Sequence, residues 1–384
     1  MKNLRRSFLL DPRVTFLNHG SFGAVPRAVF REYQYWQRQL ERQPVEFLGR
    51  KFTDLMLNAR SILAEYINSD TDNVVFTPNV TFSINIVARS LVLGEGDEVL
   101  ATDHEYGACD RTWKYLSRER NFKYINQPIP LAYGTPEEFV ETLWKGVSPR
   151  TRVIFLSHIT SPTSMVFPVA EVCRRARLEG ILTVVDGAHA PGQIPVDMNR
   201  IGADFYGGNL HKWLCAPKGA GFLYVRPACQ DLIKPLIVSW GYESEYPSNS
   251  RFVDYNEWTG TRDTAAYLAV PAAMEFQDNH DWDVIRKECH CLASEALQRI
   301  NQLTGLLPIN PDDNSFAQFI SIPLPDSVDV KEFKKNLYDL FLVEAPLVEW
   351  NAQKFIRISV QGYNSRRDIN QLIRAVDSLL KVAG

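Results

Sequence analysis

The segment from Asp186 to Lys212 holds the residues whose types and spacing are best suited to chemistry. Asp186 follows the apolar run ILTVV and begins the stretch Asp-Gly-Ala-His-Ala-Pro-Gly, and Lys212 comes 26 positions later, between His211 and Trp213. A lysine amine is a nucleophile that forms imines with carbonyl compounds. A carboxylate raises the pKa of a protonated nitrogen beside it. The pair therefore predicts a site where the amine of Lys212 forms a covalent bond and the negative charge of Asp186 assists that reaction.

Six short apolar runs predict the strands that must position these residues, and amphipathic stretches of helical length lie between them. The runs lie at 73–76, 97–101, 152–157, 181–185, 203–206 and 221–225. Such alternation is typical of a mostly parallel sheet covered by helices. Polar residues gather just after five of the runs, at 77–81, 103–106, 158–163, 186–189 and 209–212. Because ligands of open α/β sheets bind outside the carboxyl ends of the strands, we expect one shared site.

Length and composition indicate a globular protein of two domains. The chain has 384 residues, more than one hydrophobic core usually serves, and its 45% of hydrophobic and 23% of charged residues are ordinary values. Beyond about residue 265 the regular alternation stops, which predicts a smaller α+β domain. We therefore expect a large domain over 1–265, with residues 1–20 near the substrate pocket, and a small domain over 266–384.

Charge, hydropathy and cysteine usage exclude several classes of function. The formal net charge of -3 gives no field that favours nucleic acid or an anionic membrane surface. No stretch approaches 18 apolar residues, so we expect no membrane span. The six cysteines are scattered without the spacing of metal ligands, and we interpret them as free thiols in a reducing compartment. The sequence therefore favours small-molecule chemistry in the cytoplasm.

The motifs resemble those of the class V aminotransferase family of fold type I pyridoxal-phosphate enzymes. The shared features are a strand-terminal Asp186, the run from Asn209 to Lys212, and a Gly-rich return into a strand at 217–221. Within that family, the segments LNHGSFGAVP, TDHEYGA, SHITSPTS and WTGTRDTAA look most like isopenicillin N epimerase-like proteins. The resemblance runs from about Leu17 to Arg357. It implies an α/β fold with a mostly parallel seven-stranded sheet, a smaller α+β C-terminal domain, and pyridoxal 5'-phosphate as the cofactor.

Three residues are expected to serve the ring of that cofactor. The resemblance implies that Lys212 binds the cofactor covalently and moves the alpha proton of the substrate. Asp186 matches the carboxylate that keeps the ring nitrogen protonated, and His189 matches the residue that contacts the phenolic oxygen. A buried Asp at this point of the chain would otherwise be read as a helix N-cap.

The phosphate of the cofactor is expected at the N-terminus of the helix that begins near Val80 and Thr81. Asn209 and His211 match two further phosphate-contacting positions of the family, although most members carry Ser or Thr where Asn209 stands. In this fold a Gly-Thr pair from the partner subunit completes the phosphate cup, and Thr261 resembles that threonine. The resemblance therefore implies a homodimer with shared active sites.

An aromatic side chain is expected to cover one face of the ring. Both His104 and Tyr106 are candidates in the segment TDHEYGA. We favour Tyr106, because it keeps the seven-residue interval to Trp113 that relatives show for their stacking histidine, whereas His104 gives nine.

A substrate carboxylate calls for a planar donor with two hydrogen bonds, which favours arginine. Arg357, inside FIRISVQGYNS, matches the carboxylate-binding arginine of the family. The loop that contains Asn18 and His19 is expected to form a wall of the substrate pocket. Its glycines predict a tight turn equally well.

The sequence leaves three reactions of an amino acid open: epimerisation, which we rank first, beta-elimination by a cysteine or cystine C-S lyase, and transamination. An epimerase needs a proton donor on the face opposite Lys212 unless one base serves both faces. Tyr106, His19 and His104 are the candidates. No cysteine lies between residues 310 and 357, which argues against a desulfurase that forms a persulfide there.

Two other classes of protein are disfavoured. A non-catalytic sensor that keeps the fold would carry a DNA-binding module and a basic patch, and the sequence shows neither. A Rossmann dehydrogenase would carry G-x-G-x-x-G after its first strand, and that motif is missing there.

Overall fold

The computed structural model describes residues 4–309 and 312–383. Its strands are β1 (Thr15–Phe16), β2 (Val74–Thr77), β3 (Glu98–Thr102), β4 (Lys123–Gln127), β5 (Thr151–Ser157), β6 (Leu182–Gly187), β7 (Phe205–Asn209), β8 (Gly221–Val225), β9 (Phe319–Leu324), β10 (Val343–Glu344), β11 (Leu347–Trp350) and β12 (Gln353–Ser359). Its α-helices are α1 (His19–Phe22), α2 (Arg27–Arg42), α3 (Pro44–Glu46), α4 (Phe52–Tyr66), α5 (Val80–Ser90), α6 (Gly107–Arg120), α7 (Pro136–Trp144), α8 (Val169–Leu178), α9 (Met198–Ile201), α10 (Arg251–Glu257), α11 (Ala265–Leu268), α12 (Val270–Asp278), α13 (Trp282–Thr304), α14 (Val330–Phe341) and α15 (Arg366–Ala383).

A seven-stranded sheet forms the centre of the fold, in the order β2-β8-β7-β6-β5-β3-β4. Strand β8 runs antiparallel to both of its neighbours, and the other pairings are parallel. Val184 and Val185 of β6 are fully buried, as the run ILTVV predicted for a strand covered on both faces. The predicted fold class, including the smaller C-terminal domain, is confirmed.

Two elements of the large domain, strand β4 and helix α7, were not predicted from the sequence. Strand β4 is the edge of the sheet, and its residues KYINQ are only partly buried or exposed. Helix α7 begins with a capping box, in which Thr135 and Glu138 satisfy each other's backbone donors. That pattern was readable from the sequence.

The C-terminal domain contains the antiparallel sheet β11-β12-β9, against which α13 and α14 pack, with α15 packed on those helices. The helical segment over residues 265–304 is divided into α11, α12 and α13. Pro271 cannot continue α11 because it lacks a backbone N-H, and Asp281 takes a left-handed backbone with φ of 50° before α13.

The N-terminal segment packs against the C-terminal domain. Strand β1 pairs in parallel with β10, and Leu4 N donates to the carbonyl of Gly362 at 3.0 Å. The domain limits drawn near residue 265 stay a prediction, but the segment before α1 lies beside elements that come more than 300 residues later.

The hairpin of β11 and β12 reaches back to the large domain. Trp350 Nε1 donates to the carbonyl of Asp103 at 2.9 Å, and Asn351 Nδ2 donates to its carboxylate at 3.0 Å. The two turn residues, Asn351 and Ala352, have φ angles of 46° and 62°, the pattern of a type I' turn. The hairpin thus fixes the loop that follows β3.

All six cysteines are free thiols in the structure. Within residues 4–309 and 312–383, no helix is both long enough and apolar enough to cross a membrane.

Replacing Ala352 by glycine is expected to stabilise the protein, because alanine is strained at a positive φ and Asn-Gly is the preferred type I' pair. We expect the free energy of unfolding to rise by up to about 1 kcal/mol, measured by urea unfolding. Ala28→Gly in α2, where the backbone is helical and the side chain exposed, is the control and should lower it by about 0.5 kcal/mol. A destabilised Ala352→Gly variant would contradict the interpretation of the turn.

Candidate active site

A cavity of about 500 Å³ opens at the carboxyl ends of the central strands. Among the residues that line it are Val80, Thr81, Tyr106, Asp186, His189, Asn209, His211 and Lys212. All of these were predicted from the sequence as cofactor-binding residues. Their common position follows from the parallel sheet, because the carboxyl ends of adjacent parallel strands lie at one edge.

Lys212 lies half-buried at the floor of this cavity. Its Nζ lies 3.1 Å from Nε2 of His189. Trp213 Nε1, which can only donate, bonds to Nδ1 of the same ring at 3.3 Å, so the proton of the neutral imidazole sits on Nε2. Burial lowers the pKa of Lys212 to about 8, although the charge of Asp186 acts in the opposite direction. About a tenth of the amine is therefore neutral and nucleophilic near pH 7, far more than for a solvated lysine.

Asp186 lies on β6 at the same floor and is buried. Its Oδ1 accepts from Ala188 N at 2.9 Å, and its Oδ2 lies 3.4 Å from Sγ of Cys109. Burial raises the pKa of Asp186, whereas the Ala188 N-H and the charge of Lys212 lower it. The carboxylate is therefore placed to stabilise a positive charge bound in the cavity.

The N-terminus of α5 forms the opposite end of the cavity. The side chain of Asn79 accepts from Phe82 N at 3.0 Å, and Oδ1 of Asn209 accepts from Val80 N at 2.9 Å. His211 donates from Nδ1 to the carbonyl of Ala220 at 3.0 Å, which leaves Nε2 as the ring nitrogen for a ligand. The donors that remain for a phosphate are the N-H and the hydroxyl of the cavity-lining Thr81, at the N-terminus of α5, and the amide nitrogen of Asn209.

The structure separates the two candidates for the stacking aromatic residue. His104 is buried against Trp350, with ring centroids 4.3 Å apart. Its Nε2 donates to the carbonyl of Ile129 at 2.8 Å, and its Nδ1 lies 2.7 Å from Oγ1 of Thr163. Tyr106 lines the cavity and is 46% exposed. The geometry therefore leaves Tyr106 as the one of the two that a ligand in the cavity can reach.

Arg357 lies behind the cavity wall and is bonded to two serines that line it. Its guanidinium donates to the carbonyl and hydroxyl of Ser161 at 2.7 and 3.1 Å, and to Ser21 Oγ at 3.3 Å. The hydroxyl of Ser21 donates in turn to Oδ1 of Asn18 at 2.5 Å. Nε of Arg357 is buried without a hydrogen-bond partner among the described residues. Burial lowers its pKa to about 10, so the group remains a cation near pH 7.

His19 does not line the cavity, although the sequence suggested that its loop forms a wall. Its Nε2 donates to the carbonyl of Lys212 at 2.9 Å, and the hydroxyl of Tyr363 donates to Nδ1 at 3.0 Å. Burial lowers the pKa of His19 to about 3, which keeps it neutral. His19 therefore holds the backbone of the lysine from behind.

Thr261 is exposed and does not line the cavity of its own chain. Its predicted contact with a phosphate requires a second subunit and stays a prediction.

Sequence reasoning missed the residue that joins the two ends of the substrate site. Phe319 of β9 stacks on His189, with ring centroids 4.7 Å apart and an angle of 11° between the planes. The guanidinium of Arg357 lies over the same ring at 5.0 Å. Its place inside an apolar run gave no sign of this role. Ser161 lay in the noted segment SHITSPTS but received no role.

The donor set fits the expected cofactor and an amino acid. Lys212 supplies a buried amine for the covalent bond, and Asp186 supplies a charge for a protonated ring nitrogen. The α5 terminus supplies donors for a phosphate. The unpartnered Nε of Arg357 supplies a donor for a carboxylate beyond them.

The chain is similar to known proteins over nearly its whole length. The family model described as Aminotransferase class-V matches residues 22–372. Isopenicillin N epimerase of Amycolatopsis lactamdurans is 35% identical to this chain, over 99% of the chain and 98% of its own length. The probable chloroplastic L-cysteine desulfhydrase of Arabidopsis thaliana is 29% identical, over 97% of this chain and 84% of its own length.

A solved structure shares the fold. It is that of a C-DES variant with glycine covalently linked to its PLP cofactor, and its TM-score is 0.86 at 23% identity. The match covers 97% of this chain and 99% of that chain.

Replacing Arg357 by lysine is expected to weaken the binding of an amino acid about 10- to 100-fold, because an ammonium group cannot make the planar two-donor contact. Cofactor binding should not change, since Arg357 does not line the cofactor cavity. Titration with L-alanine, followed by the cofactor absorption, measures both. Arg299→Lys, in the surface pair with Glu295, is the control. An equal effect of the two substitutions would refute the assignment.

Proposed function

Since the chain belongs to the class-V aminotransferase family, we propose that it is an isopenicillin N epimerase-like enzyme that inverts the alpha carbon of an amino acid. The observation that carries the proposal is that Tyr106 lines the same cavity as Lys212, whereas both ring nitrogens of His19 and of His104 are already bonded. The site thus offers an acid in addition to the base. The epimerase relatives, similar over the whole chain, support the same reaction.

Pyridoxal 5'-phosphate, expected from the sequence and confirmed by the family, supplies an electron sink for the charge left when a substrate loses its alpha proton. Lys212 then acts as the base, because burial lowers the pKa of its amine to about 8, close to neutral pH. Asp186 holds a negative charge at the floor of the cavity. Arg357 binds the substrate carboxylate and so fixes the alpha carbon relative to Lys212.

Tyr106 returns a proton from the other face in this proposal. A phenol is a weak acid, but its hydroxyl can donate to a carbon that bears developing negative charge. Because Tyr106 is 46% exposed, it regains its proton from water, and Lys212 releases the proton that it took. The proton balance of inversion therefore closes without another reactant.

We also propose a homodimer with shared active sites, working in the cytoplasm. The segment 237–246 exposes large apolar side chains, among them Trp240 at 84% and Tyr246 at 89%. An exposed apolar surface of this kind is typical of a protein interface. A second subunit would also supply Thr261, which cannot reach the cavity of its own chain. Free thiols are consistent with a reducing compartment.

A cysteine C-S lyase is the second candidate, and the L-cysteine desulfhydrase relatives favour it. Such a lyase would use Lys212, Asp186 and Arg357 in the same roles. Tyr106 would then protonate the leaving sulfur instead of the alpha carbon. Transamination would need no acid at Tyr106, so this geometry does not favour it.

The purified protein is expected to show the visible absorption band of a lysine-bound cofactor, and Lys212→Ala is expected to lose it. Lys218→Ala is the matched control, because Lys218 lies six positions on, is exposed and does not line the cavity. If the wild type gave no band after incubation with pyridoxal phosphate, the chain would be a cofactor-free member of the fold and the proposal would fail.

Tyr106→Phe is expected to separate inversion from proton exchange. In deuterated water one enantiomer should still exchange its alpha proton through Lys212, while inversion slows about 100-fold or more. Chiral chromatography and mass spectrometry measure the two rates. Tyr115→Phe, on the exposed side of α6, is the control. Unchanged inversion would mean that one base serves both faces, and sulfide and pyruvate released from cysteine would identify a lyase.

A further inference from the structure

Glu105 is a buried carboxyl group that the mechanism above does not use. It follows β3 and lies next to the end of β5. Its Oε1 lies 2.6 Å from Oγ1 of Thr102, and its Oε2 lies 2.7 Å from Oγ of Ser157. Ser157 lines the cavity and pairs across the strands with Asp186. The carboxyl group thus reaches the active site through one serine.

The hydrogen bonds fix which oxygen of Glu105 can carry a proton. Oγ1 of Thr102 accepts from the backbone N-H of His104 at 3.2 Å and donates its own hydrogen to Oε1 of Glu105 at 2.6 Å. Oε1 is therefore an acceptor. A proton on Glu105 must sit on Oε2, from which it is donated to Ser157.

A donated proton also fixes the direction of the serine hydroxyl. When Oε2 of Glu105 donates to Oγ of Ser157, the hydrogen of the serine must point elsewhere. Among the described residues Ser157 Oγ has no second hydrogen-bond partner, and its residue borders the cavity. The free direction of this hydrogen is therefore the cavity.

We propose that Ser157 donates a hydrogen bond to the ligand that binds beside Asp186, and that Glu105 is the positioning residue that turns the serine hydroxyl toward this ligand. The identity of the ligand as pyridoxal phosphate rests on the proposed function. The hydrogen-bond arrangement itself rests on Thr102, Glu105 and Ser157.

The groups that face Glu105 keep its proton in place. Burial is the main cause that raises the pKa of Glu105 to about 8; the hydrogen bonds of Thr102 and Ser157 lower this pKa, and the charge of Asp186 raises it. Cys109 of α6 and Tyr124 of β4 also face Glu105, and burial raises the pKa of both, so that neither adds a charge below pH 8. Lys212 faces Asp186 from the other side of the floor.

The arrangement predicts a dependence on pH with a definite sign. Below its raised pKa, Glu105 is protonated and Ser157 points into the cavity. As the pH rises through about 8, Glu105 ionises and becomes an acceptor only. Ser157 then donates to Glu105, and the ligand loses one hydrogen bond.

The test uses the full-length apo-protein and 4'-deoxypyridoxine 5'-phosphate, an analogue without the aldehyde, so that covalent bonding to Lys212 does not enter. Calorimetry measures its affinity at about pH 6.5 and about pH 9.5 for the wild type, Ser157→Ala, Glu105→Gln and the double variant. Glu105→Gln keeps the arrangement at both pH values, because its amide oxygen accepts from Thr102 and its amide nitrogen donates to Ser157.

Glu98→Gln is the matched control. Glu98 is a buried glutamate at the opposite end of β3 and also accepts from a serine, Ser148, but it lies far from the cavity. Its substitution should change stability without changing the affinity for the analogue at either pH.

We expect Ser157→Ala to weaken binding about 3- to 10-fold at the lower pH, the effect of one lost hydrogen bond. In the wild-type background this penalty should vanish at the higher pH, and in the Glu105→Gln background it should persist. A penalty that is absent, or equal at both pH values in both backgrounds, overturns the inference. If Glu105→Gln does not fold, the pH dependence of the Ser157→Ala penalty decides alone. Failure to bind the analogue at any pH would instead overturn the proposed function.

Discussion

Burial of an amine next to a carboxylate is the constraint on which the site depends. Neither Lys212 nor Asp186 could stay charged in a low-dielectric floor without the other, and each shifts the pKa of its partner toward the charged form. The desolvation that makes this pairing necessary also keeps part of the amine neutral. A solvated lysine would be almost wholly protonated at pH 7 and would be a poor nucleophile. The burial of the strand ends therefore sets the reactivity of the lysine amine.

The central sheet positions part of the active site, and contacts between the two domains position the rest. Phe319 touches both His189 of the large domain and Arg357 of the small domain, so that one rigid ring sets the spacing between the cofactor end and the carboxylate end of the site. Trp350 anchors the loop after β3 in the same manner. The positions of the reacting groups thus depend on the packing of aromatic side chains more than on the charged residues alone.

The alternating pattern was sufficient for the fold class, and the resemblance of the motifs around Asp186 and Lys212 gave the family and the cofactor. It was not sufficient for His19 and His104, which looked as available as Tyr106. Their ring nitrogens are taken by Tyr363 and Ile129, and such contacts between distant or loop residues leave no local pattern. Strand β4 escaped notice because a half-exposed edge strand has no apolar run, and the hydroxyl partners of Glu105 are visible only in the three-dimensional structure.

The pairing of the first strand with the last domain has a consequence for biosynthesis. The carbonyl of Phe16 accepts from Nδ2 of Asn364, 348 positions later, and the loop that follows β1 rests on the backbone of the catalytic lysine. During synthesis on the ribosome, β1 has no strand partner until β10 has emerged. The central sheet can fold earlier, since its strands end at residue 225. The N-terminal loop, which forms part of the cavity wall, therefore reaches its final position only late in translation.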